Sequence, residues 1–195
     1  MARRDKPLGE LPLLAWGDRH PVVAGQVPRR LGWRGVAIGL GTGLLVLTIA
    51  APPTPRLVWN ASASAPIGLY AVRPGASIQA GDMVVARLPD GWRMLAARRR
   101  YLPANVPLVK QVAALAGDQV CAVGAQVLVN GTRIAERRSA DAAGRPLPWW
   151  RGCIRLRQGQ FFLLMPGSPA SFDGRYFGPT DGAQLVGKAT LLWRR

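Results

Sequence analysis

Between Gly35 and Ala51 the chain runs GVAIGLGTGLLVLTIAA, 17 residues without a charge, and no other feature limits the possible folds so firmly. As a helix rising about 1.5 Å per residue it covers ~25 Å, short of the ~30 Å of a bilayer core. Starting at Leu31 instead gives 21 residues, 31–51, places Trp33 at the interface and leaves Arg34 to snorkel toward water. One spanning helix is therefore feasible. The alternative, a buried core helix, finds no partner layer elsewhere in the sequence.

Charge orients this helix. The twenty residues before Gly35 hold Arg19, Arg29, Arg30 and Arg34, the twenty after Ala51 only Arg56, and positive flanks stay cytoplasmic. A cleaved secretory leader fits less well, because it would exceed about 45 residues and Pro52 and Pro53 stand where processing would occur. The expected organisation is a basic cytoplasmic tail (1–30), a signal anchor (31–51) and an exported domain (52–195). Gly35, Gly39 and Gly43 recur every fourth residue, a spacing common in membrane helices with or without a partner helix.

The chain carries 26 Lys+Arg against 10 Asp+Glu, a net charge of +16, and residues 52–195 hold 19 basic and 7 acidic side chains, a net of +12. Such a charge suits nucleic acid or anionic lipid. The clusters Arg98-Arg99-Arg100 and Arg137-Arg138 lack interleaved aromatics, so lipid headgroups rather than nucleic acid are the expected partner. Lysine is scarce: of Lys6, Lys110 and Lys188 only Lys110 lies in an apolar run, PLVKQVAALAG. An ammonium there is costly to keep charged.

Beyond the anchor, short strands alternate with Gly and Pro. Strands are expected at 68–72, 82–88, 109–115, 119–123, 126–129, 133–136, 160–165 and 184–192, with one helix at 91–101. Asn130-Gly131 between QVLV and TRIA signals a hairpin. The fold expected is mainly β. Cys121 and Cys153 fall in the exported part, where pairing is permitted and would stabilise by roughly 3 to 4 kcal/mol; two free buried cysteines are the other option. The single His20, on the opposite side of the membrane, and two cysteines cannot build a usual zinc site, so no metal or cofactor is expected.

NASASAPIGLY, residues 60–70, follows the anchor directly. Small neighbours leave the Ser64 hydroxyl accessible, and Pro66 biases Ala65 toward extended backbone. Serine needs a base to become a nucleophile, and a His-dependent triad is excluded by His20. A lysine serves when burial lowers its pKa, and Leu108, Val109, Val112 and Leu115 surround Lys110 in sequence. The residues permit a Ser/Lys dyad.

SASAP, KQVAALAGD and SFDGRYFGP, in that order after one spanning helix, resemble the three boxes of type I signal peptidases. The pattern looks most like the conjugative-transfer, TraF-type branch: Ala65 leads straight into Pro66, Gln111 follows the lysine and Ala116 precedes Gly117, where general signal peptidases differ. The resemblance covers most of residues 57–195. It implies a coiled β-sheet domain lying against the bacterial inner membrane on its periplasmic side. It makes Ser64 the nucleophile and Lys110 the general base. Ser62 becomes an oxyanion donor, Ser171 the orienter of the lysine, Asp173 and Arg175 a supporting ion pair, and Gly117-Asp118 the close of the lysine box. It implies cleavage of exported precursors with small side chains at two specificity positions, a conjugative pilin above all, with cyclisation of the product in some members. Membrane lipid and the conjugation or secretion machinery are the implied partners. Housekeeping signal-peptide cleavage and a non-catalytic assembly role are the alternatives. Leu147, Pro148, Trp149 and Trp150 form either an apolar tip for the lipid interface or part of a small β subdomain's core.

Overall fold

The computed structural model describes residues 32–51 and 54–195, so the expected cytoplasmic tail lies outside the described residues. The described residues fall in two units, divided after Pro52. The first holds helix α1, Trp33–Ala50, with no buried side chain. Leu40, Leu44, Leu45, Leu47 and Ile49 all stand exposed, so the helix is apolar around its circumference, as lipid requires. Ala51, the residue before Pro52, already leaves helical geometry at φ −128° and ψ 77°. One apolar helix compatible with a single-pass anchor is thus present.

The second unit is mainly β. Its strands are β1 (Leu57–Asn60), β2 (Gly68–Arg73), β3 (Met83–Ala86), β4 (Leu108–Ala114), β5 (Gln119–Val123), β6 (Gln126–Val129), β7 (Thr132–Glu136), β8 (Gly152–Arg155), β9 (Gln160–Leu164), β10 (Thr180–Asp181) and β11 (Leu185–Arg194), with helices α2 (Asp90–Arg98) and α3 (Gly174–Phe177). A seven-stranded sheet runs β1-β2-β11-β3-β4-β9-β10, and a four-stranded one β7-β6-β5-β8. Register shifts in β11 and between Val112 and Ala114 of β4 bend and curl the larger sheet. The turn Asn130-Gly131 joins β6 to β7 with both residues at positive φ, 50° and 82°, the geometry of a two-residue hairpin.

The small sheet is fastened to the large one by a shared core. Ala114 of β4 and Phe162 and Leu164 of β9 pack with Val120 of β5 and Val127 of β6. Trp150 joins this cluster, edge-on to Phe162 at 6.3 Å, and its indole N–H donates to the Gly174 carbonyl at 3.2 Å. Trp149 lies 4.4 Å from the buried Arg137 guanidinium and donates to the Arg138 carbonyl. Trp150 therefore packs with the subdomain core, while Trp149 remains exposed. A different apolar surface does occur: Trp59 and Trp193 pair at 5.5 Å, both exposed, beside exposed Leu57 and Leu192. Cys121 and Cys153, opposed across β5 and β8, are joined in a disulfide.

Candidate active site

Lys110 sits in the middle of β4, opposite Val84 of β3. Leu108 and Val112, two residues either way on the same side of the strand, are buried in the core between β3, β4 and β9. The lysine itself is 3% exposed. Its Nζ lies 2.7 Å from Ser64 Oγ and 2.9 Å from Ser171 Oγ. Burial pushes its pKa down to about 8, Arg175 adding to that and the Asp173 carboxylate opposing it. The amine is thereby brought near neutrality beside a serine.

Ser64 follows β1 in a turn whose shape is set by Asn60. The Asn60 carboxamide, buried, accepts from the Ser62 backbone N–H at 3.1 Å and donates to the carbonyls of Ser62, Ala65 and Pro66 at 3.0 to 3.2 Å. Tyr70 Oη donates to the Pro66 carbonyl at 2.8 Å from the next strand. Ser62 Oγ lies 2.9 Å from Ser64 Oγ and accepts from the Ser64 N–H at 3.3 Å. Both groups that can meet a developing oxyanion are thus adjacent and bonded to one another.

Ser171 arrives from the loop after β9, and the residues behind it hold that loop. Asp173 caps α3 and grips Arg175 in a two-pronged pair, Nε to Oδ1 and Nη2 to Oδ2, each 2.8 Å. The pair is buried, at 0% and 1% exposure, which decides against a surface turn. Its remaining donors are used: Arg175 Nη2 donates to the Ser168 carbonyl at 2.6 Å and Nη1 to that of Pro169 at 3.3 Å, while Asp173 accepts from the Met165 N–H. Phe172, between Ser171 and Asp173, stacks on Tyr176 at 5.7 Å and meets Tyr101 at 5.2 Å. Gly174 has no room for a side chain, since a Cβ would fall 2.7 Å from the Leu163 carbonyl oxygen.

Ser62, Ser64, Lys110 and Ser171 therefore converge, with Asp173 and Arg175 directly behind. Asp118 does not join them. It closes the turn after β4, accepting from the Leu115 N–H and the Asn130 side chain, and these bonds hold its carboxyl below the usual range. Cys121 and Cys153 belong to the small sheet. Sequence reasoning missed Asn60 and Tyr70. Asn60-Ala61-Ser62 matches a glycosylation sequon, yet here it forms an Asx turn, a signal carried by Asn at a strand end before small residues.

The convergent residues open onto a cleft of about 750 Å³, walled mainly by apolar side chains including Leu102, Val106 and Leu147. Ala61, Ala63 and Ala170 line it beside Ser64, so the wall next to the serine is shallow and apolar. A hydroxyl beside a partly neutral amine is an arrangement that can act as a nucleophile with its base.

The chain matches the family of signal peptidases, peptidase S26, over residues 32–194. A plasmid transfer protein TraF of Escherichia coli is 32% identical over 170 residues, 81% of this chain and 94% of that protein. A probable conjugal transfer protein TraF of Sinorhizobium fredii is 36% identical over 166 residues, 75% of this chain and 85% of that one. Among solved structures, a signal peptidase I from Enterococcus faecalis superposes with a TM-score of 0.36 at 18% identity, covering 59% of this chain and 98% of that chain.

Proposed function

This chain belongs to the signal peptidase family, peptidase S26, and from that premise we propose that it is a membrane-anchored serine endopeptidase of a conjugation system, with Ser64 as nucleophile and Lys110 as general base. The observation that carries the reading is the 2.7 Å approach of a buried lysine amine to Ser64 Oγ. Neutral Lys110 takes the Ser64 proton as Oγ attacks the scissile carbonyl, and the ammonium then returns it to the leaving amine. The Ser64 N–H and Ser62 Oγ–H turn from each other to the developing oxyanion, where one such donor is worth ~3 kcal/mol. Ser171 Oγ accepts from a Lys110 N–H and so aims the amine's one lone pair at Ser64; Asp173 and Arg175 hold the loop that carries Ser171. The acyl-enzyme is released by water or, if a substrate amine reaches it first, by closure of a new peptide bond.

The relatives' role in plasmid and conjugal transfer points to a precursor exported by a transfer system, a conjugative pilin first. Under this reading residues 1–30 are cytoplasmic, 31–51 cross the inner membrane and 52–195 face the periplasm. The Trp59–Trp193 surface rests on lipid, where aromatic rings favour the interface. A non-catalytic docking role would leave the Ser62, Ser64, Lys110 and Ser171 constellation without a purpose. The test is conversion of the pilin precursor encoded by the same transfer system, comparing wild type with Ser64→Ala and Lys110→Arg at equal protein level. Precursor should accumulate in both variants, since Arg stays protonated and accepts no proton. Equal processing by all three proteins would overturn the reading.

A further inference from the structure

Three charged residues line the cleft among the described residues: Lys110, Asp141 and Arg138. Two are already occupied. Lys110 faces Ser64 and Ser171. Asp141 accepts from the Tyr101 hydroxyl, from Arg145 Nε at 2.7 Å and from the backbone N–H groups of Ala143 and Arg145, each at 2.9 Å. Arg138 is exposed and its guanidinium has no hydrogen-bond or ionic partner among the described residues, while its backbone is held by two hydrogen bonds. Its N–H donates to Tyr176 Oη at 3.1 Å and its carbonyl accepts from Trp149. Its neighbour Arg137 is buried, donating to the Trp150 carbonyl at 2.6 Å and to that of Gly124.

An uncompensated, solvent-exposed guanidinium at the edge of an otherwise apolar trough favours chains that bring it an anion over chains that do not. We propose that Arg138 is a specificity-determining residue of this cleft, which selects precursors carrying a carboxylate in the segment that occupies it. The inference rests on the peptidase reading above and deepens it by adding a charge requirement to the small-residue requirement. The carboxylate has two sources, an Asp or Glu side chain near the scissile bond or the free C-terminus of the bound chain. The planar two-pronged fork of the guanidinium suits either source, and a substrate ammonium or neutral side chain offers it no anion.

The test uses the full-length enzyme in detergent micelles and synthetic peptides with alanine at the two specificity positions before the scissile bond. Glu is placed singly at each flanking position, with Gln and Lys at the same positions for comparison, and each peptide is made with a free and an amidated C-terminus. At its productive position a carboxylate should raise kcat/KM by about tenfold over the neutral peptide, the worth of a charge-assisted bond in a partly wet site. Arg138→Ala should erase that ratio, Arg138→Lys should restore part of it, and Arg138→Glu should transfer the preference to the Lys peptide. A ratio that follows the internal Glu names the side chain as the source, and one lost on amidation names the chain end. Cleavage that depends on Ser64 but shows the same acid-to-neutral ratio in wild type and Arg138→Ala overturns this inference alone. Cleavage by wild type and Ser64→Ala alike overturns the peptidase reading together with it.

Discussion

At the scale of single residues, the behaviour of the site follows from where one proton resides. Burial is the main reason Lys110 titrates near 8 rather than 10.5. With Lys110 as the proposed general base the active form is the neutral amine, so kcat/KM should fall about tenfold per pH unit below that value and level off above it. The same shift affects stability. Between about 8 and 10.5 the unfolded chain holds a proton on Lys110 that the folded chain has released, so the contribution to stability rises with pH across that window. Lys110→Met should remove the slope in thermal stability as well as the activity; a rate that declines from pH 6 to 9 in the folded wild type would contradict the assignment. Asn60 acts through geometry. Asn60→Ala removes three donated bonds and one accepted bond from the turn that presents Ser64, and should cost roughly 2 to 3 kcal/mol in chemical denaturation while lowering kcat more than it changes KM. An unchanged kcat would mean that the turn keeps its shape without the carboxamide. Lys110 was legible in the sequence because an ammonium among Leu and Val demands a reason. Asn60 was not, since its partners are backbone groups that every residue supplies.

At the scale of elements, the same contrast decides which strands could be read. β5 and β6 lie where periodicity places them, and β4 differs by one residue at each end, because each has buried core positions. β1, β8 and β10 escape such reading: β8 is exposed at all four positions, and β10 has only two residues, so hydrophobic alternation has nothing to act on. What fixes β8 instead is its pairing with β5, across which Cys121 faces Cys153. The exposed face of β8 offers no apolar burial to replace that link. Cys153→Ser should therefore lower the unfolding free energy by roughly 3 to 4 kcal/mol on the chain-entropy account. The loss should open β8 and the adjoining edge of β5 first, seen as early hydrogen exchange there, while Ser64 and Lys110 stay together on the large sheet. Uniform loss of protection across both sheets would show instead that the small sheet is not a separate unit of unfolding.

At the scale of the whole molecule, topology, redox state and chemistry constrain one another. A Ser/Lys peptidase acting on exported precursors has to meet its substrates on the outer side of the membrane, and the arginines before Gly35 favour that arrangement. The disulfide points the same way, since the cytosol keeps thiols reduced. This makes the chain its own control in a labelling experiment. Its two cysteines are consumed in the disulfide, so a membrane-impermeant maleimide should leave the wild type unlabelled in intact spheroplasts. Arg100→Cys, at an exposed position in the turn after α2, should be labelled there without lysis. If residues 52–195 faced the cytoplasm, Arg100→Cys would react only after lysis, and Cys121 and Cys153, reduced in that compartment, would react with it. Both signals would have to change together, because the cysteines and residue 100 all follow the one apolar helix Trp33–Ala50 and a single crossing there would leave them on the same side.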